Sequence, residues 1–234
     1  MVALALVPHK WQGGGDVVEL VGNEAWTLEL RGRLPVTAAE PRAAGLPLRE
    51  LGGRVEVGLL VLAMEGLGSS RLPGPRLSYH EALWRVGVVL DDVPGWLGLA
   101  CDLDRALVGA LGRMLIRYPV RRARIGREDD GEAWTLRVRA GGATLALRAT
   151  PGDEVPPALR PRPLVVGRAG RWHRVPWRED PAAWRRAASI EVLEDGLSAR
   201  TLGAAVEWDE EAVAHRGRIH RCGLATRWRP ATEP

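Results

Sequence analysis

The chain has 234 residues, 46% hydrophobic and 26% charged, which predicts one large or two small domains with a core that needs no disulfide or metal. This composition excludes an intrinsically disordered chain, a collagen-like repeat and a membrane-embedded body. The pI of 9.8 overstates the charge, because 33 basic residues face 29 acidic ones for a net +4, and the basic set is arginine except for Lys10.

The first eleven residues hold an apolar run with no basic segment before it, too short for a signal peptide. No run approaches the roughly 18 apolar residues of a membrane span. Ala25–Leu30 and Arg54–Met64 are rich in Val and Leu and read as strands. Cys101 and Cys222 are too few for a disulfide framework, so a cytoplasmic protein with reduced thiols is expected. Next comes a helix. Asp104 is placed to cap it, Leu107, Val108, Leu111, Met114 and Leu115 form its apolar face, and Pro119 stops it. Trp134–Arg139 and Thr144–Arg148 alternate around Gly141-Gly142, which predicts a β-hairpin with a primed turn.

Pro151 to Pro163 carries five prolines and reads as a rigid loop crossing one domain that spans residues 1–234. A second helix is predicted over Pro181–Ala188, and further strands over Ser189–Leu193 and Ala204–Trp208. Many strands with few helices predict a closed or strongly curved sheet with helices on its flank.

No P-loop, dinucleotide fingerprint, His-Glu-x-x-His, paired CxxC or Gly-x-Ser-x-Gly elbow occurs. His215, His220 and Cys222 fit no standard metal spacing, and Arg216, Arg218 and Arg221 would repel a cation there. No metal or cofactor is expected. Trp172, Trp177 and Trp184 lie among arginines, an arrangement that can stack bases but reads as core and rim packing with Arg covering the rings. Basic residues alternate with acids, as in Arg127-Glu128-Asp129-Asp130, so no nucleic-acid partner is expected.

One stretch, residues 78–125, has recognisable order. It opens Ser78-Tyr79-His80-Glu81 and continues through Asp104, Gly112-Arg113 and Tyr118-Pro119-Val120-Arg121. This resembles the acetoacetate decarboxylase superfamily, which shows Tyr-x-Glu, an Asp eight residues before a Gly-Arg, and then an aromatic residue followed by Pro-Lys-Lys. The ordered match covers about a fifth of the chain. The resemblance implies an α+β fold in which a curved or barrel-like antiparallel sheet encloses an apolar pocket, with helices outside and often a homo-oligomer. It also implies that the first residue after the proline is a Schiff-base lysine with a cationic neighbour. Here those positions hold Val120 and Arg121, and neither supplies an amine. Lys10 is far from the motif in sequence. A true acetoacetate decarboxylase is therefore not expected.

Glu81 matches the family's acidic pocket residue. A second acidic position falls near Leu60, and a substrate-facing arginine has two candidates, Arg31 and Arg33. Three readings follow. Glu81 as general acid or base and Arg121 as anion holder would serve an isomerase, hydratase or lyase acting on a small carbonyl or carboxylate compound. Tyr79, Arg113, Tyr118 and Val120 would complete that pocket. The same pocket could instead bind a small molecule without chemistry. Alternatively, Glu81 and Arg121 could simply pair inside a vestigial barrel. Asp102 reads as a surface residue or second cap. Strand alternation turns His80 away from Tyr79 and Glu81.

Overall fold

A computed structural model of the chain describes residues 19–43, 45–69, 73–156, 162–168, 170–179, 184–222 and 224–229. β1 (Glu19–Val21) precedes β2 (Glu24–Pro35), and α1 (Val36–Ala43) leads through β3 (Glu50–Leu51) to the long β4 (Arg54–Ser69). β5 (Leu77–Leu90) and β6 (Val93–Leu103) form a hairpin whose two turn residues, Asp91 and Asp92, have φ 48° and 62°, a left-handed pair that a short polar side chain tolerates. α2 (Ala106–Leu115) leads into β7 (Val120–Asp129), β8 (Trp134–Ala140) and β9 (Ala143–Glu154). β10 (Leu164–Arg168), β11 (Arg171–Val175), β12 (Arg178–Glu179) and β13 (Trp184–Asp195) follow. The described chain ends with α3 (Leu197–Leu202), β14 (Glu207–Gly217), β15 (Ile219–Cys222) and β16 (Thr226–Trp228).

Nine of these strands close on themselves, in the order β2-β4-β5-β6-β7-β8-β9-β13-β14 and back to β2. The sheet is mixed, a correction to the antiparallel expectation. β6 runs parallel to β7 along one part of its edge and parallel to β10 along another. The β6–β7 seam is only three residue pairs long, Cys101–Leu103 against Val120–Arg122.

The two faces of this sheet hold two apolar clusters. Alternate residues, such as Trp26, Leu28 and Leu30 on β2 and Val57, Leu59 and Val61 on β4, fill the lumen with Trp84, Leu136 and Leu147. Their neighbours Leu60, Leu62 and Met64 belong to an outer cluster with Tyr79, Leu83, Cys101 and Val108. β4 and β5 are covered on both faces, which is why they read as nearly continuous apolar runs. The expected apolar pocket inside the barrel is therefore a packed core.

The Gly141-Gly142 hairpin has its primed turn, with φ 56° and 81° and the register pair Ala140–Ala143. Other expectations shift. Asp104 does not cap α2; the cap position is Arg105, in extended conformation and without a side-chain hydrogen bond. The predicted apolar face of α2 is also displaced. Leu107 and Met114 are 57% and 62% exposed, while Val108, Gly109 and Gly112 are buried. The glycines bring α2 close to β7, since a Cβ on Gly109 would lie 3.1 Å from Val120 Cγ1. The second predicted helix is not formed over 184–188, which belong to β13 and pair with β14, tertiary pairing overriding the helix propensity of Ala and Arg. The predicted strand at Ala204 starts only at Glu207, and Pro151–Glu154 of the predicted loop belong to β9. Lys10, residues 157–161 and residues 181–183 lie outside the described residues.

Candidate functional site

β5 carries Tyr79, Glu81 and Leu83 on its outward face, because side chains alternate along a strand. Glu81 stands between Leu62 of β4 and Leu103 of β6. It is 0% exposed, a costly place for a carboxyl group. Tyr118, in the link from α2 to β7, joins the same outer cluster, and Tyr79 and Tyr118 are each 2% exposed. The backbone N–H of Tyr118 donates to the Gly112 carbonyl at the end of α2. Val120 opens β7 on this face and packs against the cluster. Arg113 reaches back from α2, its Nη2 donating to the Val120 carbonyl at 3.5 Å. Tyr79, Glu81, Tyr118 and Val120 thus share one apolar wall.

Arg121 does not join them. It takes the inward face, where Nε and Nη2 each donate to an Asp102 oxygen at 2.8 Å and Nη2 also reaches Thr201 Oγ1 of α3 at 3.0 Å. Asp102 is 0% exposed and also accepts from Trp84 Nε1 at 2.8 Å, which corrects the expectation of a surface residue. Arg121 and Asp102 are register partners across the short β6–β7 seam. Their bidentate pair holds the seam and anchors α3. The expected carboxylate–arginine pocket of Glu81 and Arg121 is therefore divided by the sheet itself. His80, as expected, faces away from Glu81; its Nδ1 lies 2.8 Å from Asp104 Oδ2 while Asp104 Oδ1 accepts from the His80 backbone N–H.

The outer face carries a second carboxylate that the sequence reading missed. The position expected to hold an acid is Leu60, and Leu60 pairs across β2–β4 with Glu29. Glu29 accepts from Arg85 Nη2 at 3.1 Å and lies 3.7 Å from Arg31. Burial raises its pKa, but the Arg85 and Arg31 charges outweigh burial and hold it below the ordinary carboxylate value. Arg31 therefore lies between Glu29 and Glu56, 3.8 Å from the latter. Arg122 was also missed. It is on the Val120 face, two residues along, at the register position of Leu103 beside Glu81. Alternation from Val120 could have found it.

His215 pairs in register with Thr27, while the side chains of His220 and Cys222 lie outside the description, and no group of three metal-ligating side chains occurs among the described residues. Trp172 is a buried core residue, and Trp177 packs on the outer cluster. No helix is long and apolar enough to cross a membrane among the described residues.

No protein-family model matches the chain, and no curated protein does. Solved structures do. An acetoacetate decarboxylase-like enzyme from Sphingomonas wittichii is similar with a TM-score of 0.66 at 17% identity, covering 92% of this chain and 94% of its own. The enduracididine biosynthesis enzyme MppR is similar at 0.65 and 16%, covering 90% and 87%. The acetoacetate decarboxylase of Legionella pneumophila is similar at 0.64 and 13%, covering 92% and 89%. Along nearly its whole length, the chain has the acetoacetate decarboxylase-like fold.

Proposed function

We propose that the outer wall around Glu81 binds a small carbonyl or carboxylate compound and converts it by proton transfer, without a Schiff base. One observation carries this reading: a fully buried carboxyl group shares its wall with two buried tyrosines and with Val120, and valine has no amine to attack a carbonyl. Glu81 would give or take the proton, shielded from competing water. Tyr79 and Tyr118 would orient the substrate oxygen, and Arg113, at the exposed edge beside Val120, would meet its carboxylate. Arg121, bound to Asp102 and Thr201 on the inward face, takes no part in this site and serves the barrel seam. MppR has a structure in complex with pyruvate, so a small 2-oxo acid is a reasonable first probe for this chain.

The test is incubation of the purified protein with pyruvate and with a metabolite extract, followed by mass spectrometry, with Glu81→Gln as control. A compound consumed well beyond protein stoichiometry by wild type alone supports the reading. A compound retained at stoichiometric amounts and released unchanged makes the wall a binding site. Borohydride added with pyruvate should leave no adduct on any peptide of residues 19–229; an adduct there would overturn the lysine-independent chemistry.

A further inference from the structure

We propose that the outward face of β7 and β8 is a binding site for a small phosphomonoester. Arg124 of β7 stands directly opposite Arg139 of β8, and Arg137 is opposite Gly126 in the next row. The third row pairs Glu128 with Thr135. These residues line a groove of about 240 Å³.

The groove floor is open at Gly126, where a Cβ would meet nothing within 4 Å. Like charges directly opposite on paired strands destabilise a sheet. Nothing offsets that cost here: among the described residues, Arg124, Arg137 and Arg139 make no ion pair or hydrogen bond. Some arginines elsewhere have partners, as in Arg54 with Glu207, Arg85 with Glu29, Arg148 with Asp130 and Arg216 with Glu24, and others, such as Arg33 and Arg105, have none among the described residues. What sets this group apart is that Arg124 and Arg139 stand directly opposite each other in one groove.

Charge selects the ligand. The three guanidiniums of the groove, with the exposed Arg122 one same-face step beyond Arg124, outnumber Glu128 and leave a clear excess of positive charge, which favours a phosphoryl dianion over a monocarboxylate. Guanidinium forks also fit phosphate oxygens in pairs. The phosphoryl group belongs between Arg124, Arg139 and Arg137. The ligand body then crosses Gly126 towards Glu128 and Thr135, roughly 7 Å further per same-face step, where a hydroxyl could donate to the carboxylate. Three such rows are too short for the phosphate run of a nucleic-acid duplex.

Thermal melts and calorimetric titrations at fixed ionic strength would test this, with glycerol 3-phosphate, inorganic phosphate, acetate and a short oligonucleotide as probes. Glycerol 3-phosphate should stabilise and bind the wild type, and Arg124→Gln or Arg139→Gln should weaken it by about tenfold or more, roughly 1.4 kcal/mol. The same substitutions should leave the ligand-free protein at least as stable as wild type, because they remove a like-charge pair. Glu128→Gln should weaken glycerol 3-phosphate and leave inorganic phosphate unaffected. Equal stabilisation by acetate, unchanged binding in the arginine variants, or tighter binding of the oligonucleotide would each overturn the proposal.

Discussion

Asp102 is fully buried, with three donors pointing at it, from Arg121 and Trp84. Arg121→Met removes two of them and leaves a buried charge held by one indole. Breaking a buried pair costs about 3–5 kcal/mol; because the Arg121 side chain is 35% exposed, a loss nearer 2–3 kcal/mol is expected in urea melts. A variant that folds as stably as wild type but loses turnover would return Arg121 to the substrate. Glu29 yields a pH prediction. Its folded pKa is depressed, so the stability it contributes is present above the unfolded carboxylate value and is lost as pH falls through the folded one. The stability gap between wild type and Glu29→Gln should therefore narrow on acidification below about pH 4, as melts across pH would show. Glu81 could be singled out as a candidate because motif order marks single residues, and its burial beside Tyr79 is what the structure adds. Arg121 was misplaced because its neighbour Val120 was followed without counting the strand's alternation. Glu29 was out of reach of a linear reading, since its link to Leu60 is a pairing across strands.

At the scale of elements, close approaches decide what each strand tolerates. Gly32 lies beside the irregular β14–β2 pairing, where a Cβ would sit 2.6 Å from both the Glu207 carbonyl and Val206 Cγ1. Gly32→Ala should cost about 1–3 kcal/mol by overpacking, whereas Gly126→Ala, in open space on β7, should be near neutral in the same denaturation series. Strands with strict alternation, such as Trp134–Ala140, were readable because their two faces differ in polarity. α2 was readable as a helix but not in its orientation. Its apolar residues pointed to one face, and the glycines that fit against Val120 define another. The 184–188 stretch was misread because its partners β9 and β14, each more than twenty residues away, make it a strand.

For the whole molecule, a β-rich barrel follows from many strands and few helices, but its closure does not. The parallel seam between β6 and β7 and the filled lumen both depend on contacts between distant segments, which no local periodicity encodes. Those long-range contacts also set an order of events on the ribosome. β2 finds one neighbour, β4, soon after it is made, but its other edge pairs with β14, and Arg216 meets Glu24 across 192 positions of sequence. Until β14 emerges, that edge offers an unpaired row of N–H and C=O groups above a half-built core. A nascent chain in this state is a template for strand addition, and topologies this non-local fold slowly. A chain truncated before residue 207 is therefore expected to aggregate under conditions in which the full chain stays dispersed, as light scattering would show.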